Sequence, residues 1–111
     1  MSERQVDPQL AVDAIIRTGK PLAQARAERI YVEEYRKTLK AILMRESGEK
    51  SAAAQEVDAY AHERYQAHLL AIKEAVRAEE ELRWTMVAAQ ARIEVWRSTE
   101  ASARAEGRAT Q

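Results

Sequence analysis

Between Ser51 and Gly107 the chain contains neither proline nor glycine, and this uninterrupted span constrains the fold more than any other feature. Sheets need turns, and turns are written with Gly, Pro, Asn and Asp clusters between short alternating strands. A span without such punctuation, rich in Ala, Glu, Arg and Gln, favours one long helix. Only three glycines and two prolines occur in 111 residues, with no Phe and no Cys. The fold class expected is therefore all-α, in a single helical domain over residues 1–111.

The remaining breakers divide the chain further. Asp7 is suited to accept from free N–H groups at a helix start, and Pro8 suits the first helical position. The apolar residues Leu10, Val12, Ala14, Ile15 and Ile16 then lead to Gly19, which predicts a short first helix over about 8–18. Pro21 opens a second helix over about 21–47, closed by Ser47-Gly48. Its apolar stripe reads Leu22, Ala27, Ile30, Tyr31, Tyr35, Leu39, Ile42 and Leu43. Ser51 caps a third helix over about 51–106, followed by a flexible tail at 107–111.

Within the third helix the seam Tyr65, Leu69, Ile72, Val76 skips six residues to Leu82 and resumes as Met86, Ala89, Ile93, Trp96. The skip marks either a register shift or a bend near 77–81. Continuity is favoured, since no breaker lies there and Glu79 is one turn before Arg83. At 1.5 Å per residue the second helix spans ~40 Å and the third ~80 Å. A hairpin of the two therefore leaves half of the third helix without cover.

That half is not written for water. Leu82, Met86, Ala89, Ile93 and Trp96 fall on one face of the helix, and Trp84, Ala88, Ala91 and Val95 lie roughly opposite. A helix apolar on two opposed faces is expected between two neighbours. These nine residues form the candidate self-association interface of a coiled-coil-like homodimer, with the alanines permitting close approach and the tryptophans anchoring the contact.

Chemistry is sparsely signalled. In HERYQAH, residues 62–68, the two histidines are six apart and diverge by ~120° on a helix, unlike the i, i+4 pair that shares a zinc. The run Glu79-Glu80-Glu81 fans over several helical faces and reads as solvated surface. No glycine-rich phosphate loop, nucleophile elbow or cysteine nucleophile occurs, so no catalytic, cofactor or metal residues are assigned and a non-enzymatic protein is expected. Eighteen basic residues balance eighteen acidic ones, which removes any global attraction to nucleic acid or anionic membrane. The alternative to protein contacts is a nucleic-acid surface made by Arg92, Arg97, Arg104 and Arg108 beside Trp96, although Glu94, Glu100 and Glu106 alternate with them. No apolar run is long enough to span a membrane and no signal peptide is evident, so a soluble, cytoplasmic protein is expected.

The stretch AYAHERYQAHLLAIKEAV, followed by LRWTMVAAQARIEVWRSTEASARAEGRATQ, resembles small uncharacterised helical proteins of temperate bacteriophages and prophages, some encoded near recombination or replication genes. The likeness covers roughly residues 35–111 and rests on overall texture. It implies a cytoplasmic protein of an infected or lysogenic bacterium, an accessory factor that binds a host or phage protein. It implies no activity and no site residues.

Overall fold

A computed structural model describes residues 6–110 of the chain. Three helices follow one another, α1 over Pro8–Glu46, α2 over Ala52–Ala61 and α3 over Glu63–Ala109. The protein is an all-α helical hairpin, and no strand occurs among the described residues. Two compact units are distinguishable. One joins the chain up to Leu22 with the chain from Glu81 onward, and the other comprises Ala23–Glu80.

The helix starts follow from the sequence. Asp7 Oδ1 accepts from the Gln9 N–H at 2.9 Å and the Asp7 carbonyl accepts from the Ala11 N–H at 3.3 Å, so Asp7 caps α1 with Pro8 as its first residue. Ser51 caps α2, its Oγ accepting from the Ala54 N–H at 3.1 Å. Between them, Ser47 Oγ donates to Asp58 Oδ2 at 2.6 Å and accepts from the Glu49 N–H at 3.2 Å, which fixes the turn after α1.

Two expected boundaries move. The short helix 8–18 and the helix 21–47 are one helix, because α1 passes through Gly19 and Pro21 without interruption. No glycine among the described residues has positive φ, so Gly19 does not form the left-handed cap its position invites. Tertiary burial explains the override. Ala11, Thr18 and Leu22 are buried on either side of the Gly19–Pro21 stretch, and Ile15 is half-buried between them. These four share one face only if the helix is continuous. Pro21 removes one N–H···O=C bond and sits exposed, where its ring meets solvent.

The second boundary appears where the sequence contains no breaker. The expected helix 51–106 divides at His62, whose backbone is extended (φ −68°, ψ 141°). Its imidazole Nδ1 accepts from the Arg64 N–H at 2.9 Å and its carbonyl accepts from the Tyr65 and Gln66 N–H groups. His62 thus works as the cap of α3, in the manner of a capping Asn or Asp. The Gln66 amide spans the break by donating to the Tyr60 carbonyl at 2.8 Å. The end of α3 also shifts, since the helix passes Gly107 to Ala109, and Gln111 of the expected tail lies outside the described residues.

α3 is one continuous helix through 77–81. The seam expected through Leu69 and Val76 is misplaced, because both are 37% exposed. Burial instead follows Tyr65, His68, Ile72, Ala75, Glu79, Leu82, Met86, Ala89, Ile93 and Trp96, all buried or half-buried. That series alternates steps of three and four without a skip, which is the pattern of a helix packed along one seam. On α1 the matching correction concerns Ala27, Ile30 and Tyr31, which are exposed, whereas Ala25, Arg29 and Val32 are half-buried.

In the unit Ala23–Glu80, α1 and α3 run antiparallel. Glu46 pairs with Arg64, the Val32 carbonyl meets His68 Nε2 at 2.6 Å, and Arg26 pairs with Glu79. Leu39, Leu43, Ala59 and Tyr65 form the core, with Tyr35 and Met44 packed against it. Tyr60 meets Tyr65 edge to face at 5.2 Å between ring centroids. The break at His62 allows this arrangement, since it places Tyr65 of α3 beside Ala59 of α2 in one core.

Glu79 is the largest departure from the sequence reading. It is only 7% exposed, whereas solvated surface was expected. Arg26 Nε donates to its Oε2 at 3.1 Å, and Arg29 Nε donates to its Oε1. The Arg29 hydrogen bond holds the Glu79 carboxyl below its ordinary range, with Arg26 adding to the effect and burial opposing it. Arg29 in turn is pushed up by Glu79 first and by Glu33 second. A carboxylate at a seam position is tolerated because two guanidinium groups meet both of its oxygens.

Candidate contact surface

In the other unit, Pro8–Leu22 of α1 lies with the part of α3 from Glu81 onward. Its fifteen-residue segment of α1 is ~22 Å long, against ~44 Å for the α3 portion. Cover is therefore partial along α3. Every described residue after Trp96 is exposed.

The nine residues of the candidate interface separate into two sets. Ala89 is fully buried, and Leu82, Met86, Ile93 and Trp96 are half-buried. This set continues the intramolecular seam and is occupied within the chain. Trp84, Ala88, Ala91 and Val95 are all exposed, Trp84 by 59% and Val95 by 53%. Of the nine, only this second set is exposed. The two tryptophans therefore do different things, Trp96 closing the seam and Trp84 facing outward.

The outward set is regular. Its steps of four, three and four place the side chains within a ~60° sector of the helix. Ser98 and Ser102 extend the same line toward the end of α3. Arg83 lies over the Trp84 ring with its guanidinium carbon 4.8 Å from the centroid. That contact covers part of the indole but leaves more than half of the residue open. In the same unit, Leu10 and Ile16 of α1 are 66% and 72% exposed.

The arginines of the nucleic-acid alternative are also exposed. Arg97, Arg104 and Arg108 fall within a ~40° sector, but Arg92 lies more than ~100° away. Arg97 Nη1 is engaged by Glu94 at 2.9 Å. Glu94 and Glu100 flank this stripe, whereas Glu106 lies on the opposite face, so the positive charge of the three arginines is offset only in part.

Two clefts in the unit Ala23–Glu80 show why the chemistry points elsewhere. One, of about 410 Å³, is lined by Leu43, Glu46, Ser47, Gly48, Asp58, Ala61 and His62. Its polar groups are used structurally, Glu46 by Arg64, Asp58 by Ser47 and His62 by the start of α3. The other, of about 360 Å³, is lined by Arg36, Lys37, Lys40, Tyr60 and Tyr65. Lys40 Nζ there pairs with Glu56 at 2.6 Å and lies 4.8 Å from the Tyr60 centroid. Glu56 first, and Tyr60 second, hold the ammonium strongly protonated.

His62 and His68 do not converge, as their spacing implies, since one caps α3 and the other meets the Val32 carbonyl and lies tilted against Tyr35 at 5.6 Å between ring centroids. Among the described residues no group of three His, Cys, Asp or Glu side chains is placed to hold a metal ion. No helix among them is long and apolar enough to cross a membrane. Sequence reasoning missed the structural roles of His62, His68 and Glu79. The usable signal was the three-and-four spacing that all of the seam residues from Tyr65 to Trp96 obey once polar residues are admitted to it. Compared with known families, with curated proteins and with solved structures, the chain matches none.

Proposed function

We propose that the protein is a non-enzymatic accessory factor that acts through protein contacts as a helical homodimer. The observation that carries this reading is the open apolar line Trp84, Ala88, Ala91 and Val95 on α3. Leaving large apolar side chains in water forgoes about 1.5–3 kcal/mol for each one that could be fully buried. Trp84 and Val95 are more than half exposed, so covering them recovers a substantial part of that quantity. The seam opposite is already filled from within the chain, so the line is not a remnant of incomplete folding.

A second copy suits this line because large, small, small, large is a palindromic order, and a closed dimer buries the same patch on both chains. The resemblance to proteins of temperate phages agrees with a small accessory role in a bacterial cytoplasm. Sedimentation equilibrium at micromolar concentration tests the reading, alone and with Trp84→Lys. A dimer that the substitution converts to monomer supports it. A monomer throughout removes it.

A further inference from the structure

The geometry points to a pH-operated joint between α2 and α3, in which His62 fastens the corner when neutral and releases it when protonated. This joint lies within the unit Ala23–Glu80 and is independent of any association between chains.

His62 alone lies between Ala61, the last residue of α2, and Glu63, the first of α3. No proline or glycine between Ser51 and Gly107 enforces the break. Its side-chain fastening is the His62 ring, whose Nδ1 accepts from the Arg64 N–H at 2.9 Å. An imidazole accepts only in its neutral form, because both nitrogens of the charged ring carry protons and donate. Protonation therefore sets one donor against another at Nδ1. The positive end of the α3 dipole opposes the charged ring as well. Histidine changes charge between about pH 5 and 8, a range in which the oxygen of a capping Asn stays an acceptor throughout.

The charges around the ring divide between its two states. His62 is exposed and lines the cleft of about 410 Å³ together with Glu46 of α1 and Asp58 of α2. These carboxylates favour the charged ring, whereas Arg64 and the start of α3 favour the neutral one. Glu46 keeps its pairing with Arg64 and Asp58 its bond from Ser47, so both act on the ring by their charge alone. The Gln66 amide also spans the corner, bonded to the Tyr60 carbonyl, but it does not titrate.

The chain has two histidines, and they respond oppositely. His68 Nε2 meets the Val32 carbonyl at 2.6 Å, a bond the ring must donate and keeps when charged. Only His62 loses a bond on protonation. The loss reaches the core, since Tyr65 begins its own hydrogen bonding at the His62 carbonyl and packs, 8% exposed, with Leu39, Leu43 and Ala59. The cap's contribution is fully present where His62 is neutral and disappears as pH falls, so mild acid loosens the first turn of α3.

An NMR titration of the full chain from pH 8 to pH 5 follows the His62 ring and the Arg64 amide together, with the His68 ring as internal reference. The Arg64 amide proton is expected to move upfield with the midpoint of the His62 ring. Exchange at Arg64, Tyr65 and Gln66, corrected for its intrinsic pH dependence, should quicken about fivefold, the effect of losing one helix cap. His62→Asn should keep the break and abolish this pH dependence, while His62→Ala should show the acid exchange rates already at pH 8. An Arg64 amide indifferent to the titration of His62, a His62 ring that stays neutral down to pH 5, or the same acceleration in His62→Asn would overturn the joint. The first two outcomes are read on the unsubstituted chain, so the test stands even if a variant folds poorly.

Discussion

Gly19→Ala has opposite signs under the two ways of continuing the chain after residue 18. In the structure Gly19 lies inside α1, no glycine among the described residues has positive φ, and a Cβ added at Gly19 meets nothing within 4 Å. Alanine there gains helix propensity and loses nothing in packing, so the substitution stabilises by about 1 kcal/mol. For a chain of this size that corresponds to a rise in Tm of about 4 °C. If Gly19 instead ended a short helix as a left-handed cap, alanine would cost about 1 kcal/mol and lower Tm by a similar amount. Pro21→Ala sharpens the contrast. Inside a helix it restores an N–H able to reach the Arg17 carbonyl and removes a penalty of up to about 3 kcal/mol, whereas at a first helical position it changes little. Thermal unfolding followed by far-UV circular dichroism, with urea titration as a second measure, reads both. A fall in Tm for Gly19→Ala together with no change for Pro21→Ala would refute a continuous α1.

Three further predictions concern the seam. Glu79→Gln removes the negative charge and one of the two oxygens that accept from Arg26 and Arg29, and lowers stability at neutral pH. Since the folded-state pKa lies below the ordinary 4.5, the wild-type contribution is fully present above that value and is lost as pH falls through the folded pKa. Acid titration of stability should therefore be shallower in Glu79→Gln than in wild type, and identical slopes would contradict the buried carboxylate. Leu43→Ala, at a residue 2% exposed, is expected to cost about 2–4 kcal/mol in urea unfolding, while Leu69→Ala costs under about 1 kcal/mol. Equal costs would contradict the unbroken register. Trp96→Ala should lower Tm without altering assembly, because its ring belongs to the intramolecular seam, and dissociation of a dimer by this substitution would place Trp96 in the contact instead.

The sequence made the helical class and the caps legible because these depend on local chemistry. Asp7-Pro8 and Ser51 act through side-chain oxygens and a fixed φ within one turn of their own position. The other boundaries depend on packing. Pro21 sits inside a helix because Ala11, Ile15, Thr18 and Leu22 share a buried face, and no local rule weighs that against a proline. His62 ends α2 because its ring accepts from Arg64 and Tyr65 finds the core beside Ala59, a use of histidine that propensity scales do not anticipate.

The register of α3 was hidden for a related reason. Apolar patterning selects Leu69 and Val76, whereas the seam admits His68 and Glu79, whose polarity is satisfied by the Val32 carbonyl and by two arginines on α1. Those partners lie some 36 and 50 or more residues away along the chain, so the pairing is not readable locally. Once the register is corrected, the two apolar faces of residues 82–96 divide cleanly. The face of Ala89, Ile93 and Trp96 is buried or half-buried within the chain, and the face of Trp84, Ala88, Ala91 and Val95 is exposed.

Sedimentation equilibrium of the unmodified chain and of Trp84→Lys, across micromolar concentrations, bears most directly on the proposed contact through this exposed face. A species of twice the chain's mass that the substitution returns to monomer is the predicted result. A single monomeric species for the unmodified chain, or a dimer indifferent to lysine at position 84, would contradict the assignment of this face as the contact.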